Sequence, residues 1–344
     1  MGLLTRDGAR LTSVAFNQIV FGFVGGFIML LITANIPYAF WRKYAFWIFL
    51  TSLVATLLVF VPGIGFGHGG ARRWIMIAGF TFQTSELLKI GFIVYFSAWC
   101  AMVKDKASTF RYGFIPFMIL IGIVGAVLLK QPDTDTFMVI FAAGVAMFIV
   151  AGARFRYISL LAILGVLAVL VLAFMRPYVW DRINTFINPN LDPHGSSYQS
   201  QQSLIAIGSG GLTGRGFGQS VQKFNYLPEP IGDSIFAVAG EEFGFVGGLF
   251  LILLFLFFAI RGLKIASSTN DIFGRLVVTG IVILITAQAF VNIGAMLGVL
   301  PLSGITLPFV SHGGSSLFIT LAQIGIIINI SKHKSNRALG LSKK

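Results

Sequence analysis

Nine apolar runs organise the chain, at approximately 14–35, 45–62, 84–103, 112–129, 134–151, 156–174, 235–260, 276–298 and 314–330. Each approaches the roughly 20 apolar residues that cross about 30 Å of hydrocarbon. A backbone in lipid must satisfy its own hydrogen bonds, and these runs lack the alternation of a barrel strand. The expected fold is therefore an all-α polytopic membrane protein with about nine transmembrane helices, read as a single integral membrane domain over residues 1–344. The first run is too long for a secretory signal, and no small-residue cleavage site clearly follows it. Composition agrees: 56% of residues are apolar and only 11% are charged, too few charges to wet a globular surface. Forty glycines suit close packing between helices. One cysteine, Cys100, leaves no disulfide scaffold and no cysteine-based zinc site.

The formal charge of +13 raises the question of nucleic acid, and the placement of the charge answers it. The basic residues sit in short clusters between apolar runs, so no nucleic-acid surface is expected. They report orientation instead. One alternating set of connections carries Arg42 and Lys43; Lys104, Lys106 and Arg111; Arg154 and Arg156; Arg261, Lys264 and Arg275; and a basic C-terminal tail. The other set is poorer in basic residues and far longer: Arg6, Arg10, Arg72, Arg73, Lys130, Arg176, Arg182, Arg215 and Lys223. The C-terminus is thus expected in the cytoplasm. Nine spans then put the N-terminus outside, which sits awkwardly with Arg6 and Arg10.

Residues 175–234 form the one long outward loop, and loops of this length are usually functional or disordered. Its aromatic residues and its glycine-dense stretch, 208–218, read as an ordered extracytoplasmic structure. A nucleotide reading of the glycines fails, because Gly-Lys-Ser/Thr is missing and no strand precedes them. Asp233 closes the loop. It is either the N-cap of the next helix or a carboxylate at the membrane boundary able to act as general base. Glu241 and Glu242 lie roughly 12–13 Å deeper along that helix, too far for the carboxylate pairing of a hydrolase at about 5–9.5 Å. One of them reads as a structural hydrogen-bond acceptor to a neighbouring helix. Glu86 and Lys89 share a helix face at i, i+3 and read as a self-neutralising pair behind the site. Arg72-Arg73-Trp74 is basic on the side where basic residues are disfavoured. Together with Lys223 and Arg215 it could hold an anionic ligand such as a pyrophosphate. The four histidines lack the spacing of a metal cage; only His312, beside Ser311 in Val-Ser-His-Gly-Gly, has a suggestive setting.

Several stretches in order resemble the SEDS family (shape, elongation, division and sporulation), the membrane peptidoglycan polymerases of the FtsW/RodA type. They are Gly70-Ala-Arg-Arg-Trp-Ile, Gln83-Thr-Ser-Glu-Leu-Leu-Lys, Gln131-Pro-Asp-Thr-Asp-Thr, and Tyr198-Gln-Ser-Gln-Gln through Gly-Gly-Leu. Lys223-Phe-Asn-Tyr-Leu-Pro-Glu, Asp233-Ser-Ile-Phe through Glu-Glu-Phe-Gly, and Val291-Asn-Ile-Gly through Pro308-Phe-Val-Ser-His-Gly-Gly complete the set. The doubled arginine looks more like the division branch than the elongation branch. The resemblance implies a ten-span bundle, whose first span has no counterpart before the first run here. It implies that Asp233 matches the family's proposed catalytic acid, and that Glu86 and Lys89 match its Glu/Lys pair. Thr84, Gly232, Ser234 and His312 depart from the family's usual Pro, Thr, Phe and Tyr.

The expectation is a peptidoglycan glycosyltransferase of the bacterial cytoplasmic membrane, polymerising lipid II on the outer face and releasing undecaprenyl pyrophosphate. Asp233 is the expected base, and Arg72, Arg73, Lys223, Arg215, Ser311 and His312 are the expected substrate contacts. A divalent cation, Mg or Mn, could share the pyrophosphate charge. A class B penicillin-binding protein, a single-span transpeptidase, and other divisome or elongasome proteins are the expected partners. Two other classes fit the spans and the buried charges: a flippase of lipid-linked precursors, and a scaffold that activates the transpeptidase.

Overall fold

The computed structural model describes residues 16–68, 71–77, 80–189, 195, 197–224 and 226–338. Every apolar run becomes a helix. Among the described residues, seven helices are long and apolar enough to cross a membrane. They are α1 (Gln18–Asn35), α3 (Thr84–Ser108), α4 (Phe110–Lys130), α6 (Phe155–Met175), α9 (Ile235–Ser267), α10 (Ile272–Met296) and α11, whose apolar span is Gly314–Lys332. Two shorter apolar helices, α2 (Ala45–Leu58) and α5 (Thr134–Val150), account for the remaining runs. The described part of the long connection between α6 and α9 carries α7 (Pro177–Ile187), α8 (Tyr198–Ser209) and a 3₁₀ turn at Gln222–Phe224.

The connection before α3, read from sequence only as a loop, is a three-stranded antiparallel sheet. It comprises β1 (Gly65–His68), β2 (Ala71–Ile77) and β3 (Phe80–Gln83). Trp74 pairs with Gln83 and Ile75 with Phe82, so β3 leads straight into the first turn of α3. Alternating aromatic and aliphatic residues such as Trp74, Met76 and Phe82 favour this pleated form.

The fold groups into two compact units. One comprises Phe16–Ile158, Phe258–Ala287 and the chain from Gly314 onward. Its core is aromatic: the rings of Phe96 and Phe117 lie 5.3 Å apart and those of Phe117 and Phe148 5.5 Å apart, all three fully buried. Here α1 approaches α11 closely, because Gly22 faces Gly314 and Gly26 faces Leu321. The Thr33 hydroxyl donates to Ala322 O, and Asn329 Nδ2 donates to Ala34 O, each at 2.9 Å. Such small-residue contacts with interhelical hydrogen bonds replace the hydrophobic drive that lipid removes.

The other unit comprises Ser159–Phe257 and Gln288–Gly313. Its core packs Ala206 of α8, Phe236 and Phe255 of α9, and Ile293 and Met296 of α10 around Leu307. Helix α8 is thereby fixed to α9 and α10, the helices that carry the candidate site.

Candidate functional site

Asp233 stands half-buried at the end of the long connection between α6 and α9, in the unit built on α9 and α10. The first backbone acceptor of α9 is Ser234 O, which takes Ala237 N at 3.0 Å and Val238 N at 3.3 Å. Ser234 therefore holds the N-cap position, and Asp233 sits one residue outside the helix. The Ser234 hydroxyl is occupied elsewhere, donating to Pro228 O at 2.8 Å and accepting from Gln199 Nε2 at 3.0 Å. The backbone ahead of the helix is held from a second segment. Ile231 O accepts from His312 N, Gly232 O from the Ser311 hydroxyl, and Asp233 O from Asn292 Nδ2, each at 2.7 Å. Ser311 and His312, expected as substrate contacts, thus serve the loop that presents Asp233: Ser311 is buried and His312 half-buried.

Eleven residues beyond Asp233, α9 breaks. Gly244 has φ +66°, and the four backbone groups that the break frees find partners in the glycine-rich stretch. Glu241 O and Glu242 O accept from Arg215 N and Gly216 N, both at 3.0 Å. Phe245 N and Val246 N donate to Gly211 O and Leu212 O at 2.9 and 3.1 Å. A Cβ on Gly244 would overlap Gly214 N, so only glycine fits. The glycine run is thus the complement of a broken membrane helix. Sequence could not pair the two, since Gly211 and Phe245 are distant in the chain.

The side chains of Glu241 and Glu242 complete the stitch. Glu241 is fully buried and accepts from the Ser220 hydroxyl at 2.5 Å, Val221 N at 3.0 Å and Gln222 N at 3.2 Å, with Arg215 Nη1 at 3.5 Å. Glu242 takes Lys223 Nζ at 2.6 Å, and the same ammonium donates to Gly218 O at 2.8 Å. Both acids are structural acceptors, receiving from the outer loop rather than from a neighbouring helix. Lys223 is buried in this contact, so the structure spends the ammonium on Glu242 instead of offering it to an anion. Arg215 remains 41% exposed and keeps an open side.

In the other unit, β2 separates the arginine pair, because successive strand residues face opposite ways. Arg72 is exposed, whereas Arg73 turns inward, donates to Pro132 O and lies 3.7 Å from the Asp133 carboxylate. The two guanidiniums therefore do not form one fork. Glu86 and Lys89 pair at 2.8 Å on the first turns of α3, with side chains 5% and 3% exposed. Asp133, in the turn between α4 and α5, was not singled out from sequence. Its signal there is its place in the Gln131-Pro-Asp-Thr-Asp-Thr stretch. Burial pushes its carboxyl above the usual range, against the opposing pull of Arg73, and its Oδ2 has no hydrogen-bond partner. Among the described residues, no group of three or more His, Cys, Asp and Glu side chains is arranged to hold a metal ion.

A family model described as a cell cycle protein, for FtsW, RodA and SpoVE, matches residues 4–336. A probable peptidoglycan glycosyltransferase FtsW of Geobacter sp. (strain M18) is 40% identical over 306 residues, covering 89% of this chain and 83% of that protein. Stage V sporulation protein E of Bacillus subtilis (strain 168) is 38% identical over 319 residues, covering 93% and 87%. Among solved structures, a chain from work on the structural coordination of polymerization and crosslinking by a peptidoglycan synthase complex superposes with a TM-score of 0.79. It is 26% identical, covering 95% of this chain and 91% of that one. The rod shape determining protein RodA of Thermus thermophilus gives a TM-score of 0.66 at 24% identity, covering 97% and 99%, a likeness of fold.

Proposed function

The chain belongs to the FtsW/RodA/SpoVE family, and on that premise we propose that it is a peptidoglycan glycosyltransferase that polymerises lipid II during cell division. The observation that carries the reading is Asp233, a half-buried carboxylate just outside a helix, on a backbone gripped at three consecutive carbonyls. In the reaction, the 4-hydroxyl oxygen of the acceptor sugar bonds to C1 of the donor sugar. The bond from C1 to the pyrophosphate oxygen breaks with its electron pair, and undecaprenyl pyrophosphate departs. Asp233 takes the hydroxyl proton as the new bond forms, a contribution of about 10²–10⁴-fold. Arg215, an exposed cation in the same unit as Asp233, is the residue we assign to the pyrophosphate charge, and a divalent cation arriving with the substrate would share it.

The protein is a multi-pass membrane protein, and the C-terminal tail lies in the cytoplasm on the charge argument above. The outer loop then meets its lipid-linked substrate on the outer face. A penicillin-binding transpeptidase is the proposed partner, in keeping with the synthase complex named for the structural relative. The purified protein, given labelled lipid II in detergent, should yield glycan polymer and free undecaprenyl pyrophosphate. A flippase would move lipid II across vesicles and make neither product, and that result would replace the polymerase reading.

A further inference from the structure

We infer that Asn292 is a positioning residue for the base: it sets the Asp233 carboxylate through the Asp233 backbone carbonyl. The inference rests on the proposed role of Asp233 and adds a residue to it. Asn292 lies on α10 with its side chain fully buried, inside an apolar run where an amide is costly to desolvate. Nδ2 donates to two carbonyls at once, Asp233 O and Ile305 O, each at 2.7 Å. Both amide hydrogens are thereby used, and the amide ties the end of the outer loop to the 300–313 segment that returns beneath it. That segment supplies the neighbouring grips, Ser311 on Gly232 O and His312 N on Ile231 O. Leu307 N in turn donates to the Ser311 hydroxyl at 2.7 Å, which fixes the rotamer that reaches Gly232.

Two features point to positioning rather than to stability alone. Asn292 Oδ1 is buried with no hydrogen-bond partner, so the residue carries an unmet polar atom that an apolar side chain would avoid. And its grip falls on the one residue of the loop whose carboxylate is assigned to the reaction. An aspartate side chain has only two rotatable bonds, so anchoring its own carbonyl fixes where the oxygens can reach. Geometry at this level matters, since a misplacement of about 1 Å costs about 10²-fold in rate.

The test is a double-variant cycle on the full-length protein with its partner, reading single-turnover formation of the first glycosidic bond, KM for lipid II and melting temperature. Asn292→Ala should lower kcat about 10²-fold, with KM within about twofold of the parent. In the Asp233→Asn background, Asn292→Ala should add no further loss, because the residue acts through a carboxylate already gone. Multiplying losses, or a parental kcat for Asn292→Ala, would overturn the positioning role while leaving the base reading intact. A near-parental Asp233→Asn single variant would instead overturn the base reading itself. If Asn292→Ala does not fold, Ser311→Ala removes the next grip on the same loop and is read by the same cycle.

Discussion

Glu86 and Lys89 show what a buried charge costs when it must stay paired. Their contact at 2.8 Å is almost wholly removed from solvent, so deleting either partner leaves a buried charge without this contact. Each alanine variant should lose about 3–5 kcal/mol of stability, read as a lowered melting temperature and poor expression. The exchange Glu86→Lys with Lys89→Glu should recover only part of this, because it places the cation nearest the positive end of α3. Single variants that melt like the parent would show that the pair is dispensable. Asp133 behaves differently. Its folded carboxyl is held above the ordinary range by burial, so the folded state keeps a proton that the unfolded chain has released. Its contribution is full below the unfolded value and is lost as pH rises through the raised folded value. The melting temperature of the parent should therefore fall as pH rises above the ordinary carboxylate range, more steeply than that of Asp133→Asn. Equal slopes would contradict the assignment.

At the scale of elements, the break in α9 is the feature on which the outer loop depends. Gly244→Ala forces a side chain onto a left-handed residue and into the backbone of Gly214, so it should separate the loop from the helix. The expected result is a large fall in melting temperature together with new protease cleavage within 208–223. Gly208→Ala, which meets no atom within 4 Å and lies inside α8, is the control and should be neutral or slightly stabilising. Resistance of the Gly244→Ala loop to protease would remove the stitch from the account. These elements also mark what could be read in the sequence. The helices were legible because hydropathy and length suffice for a membrane span, as α6 illustrates with its uninterrupted apolar run. The Glu86–Lys89 contact was legible because helix geometry fixes i, i+3 neighbours. The partners of Glu241, Glu242 and Lys223 were not, since each is made across the chain by tertiary folding. Nor was the split of Arg72 from Arg73, which depends on recognising a strand in what reads as a glycine-rich loop. Asn292 was visible within a motif, but its role follows only from the carbonyls it reaches.

At the scale of the whole molecule, orientation and chemistry stand together, because the substrate side of the membrane must be the side of the outer loop. A cytoplasm-dependent reporter should be active when fused after Lys344 or within 104–111, and inactive within 185–200. Activity at 185–200 would turn the molecule over and end the outer-face chemistry. The central claim is narrower and can be met more directly. Asp233→Asn keeps the shape of the side chain and leaves the carbonyl held by Asn292 untouched, so the loop should fold as before. What is lost is the charge and the ability to accept a proton. The decisive measurement is glycan formed from lipid II by parent and Asp233→Asn proteins of equal melting temperature, each with the same partner. The account predicts a fall of about 10²–10⁴-fold or more in the variant; polymer at near-parental rate from the equally stable variant would contradict it.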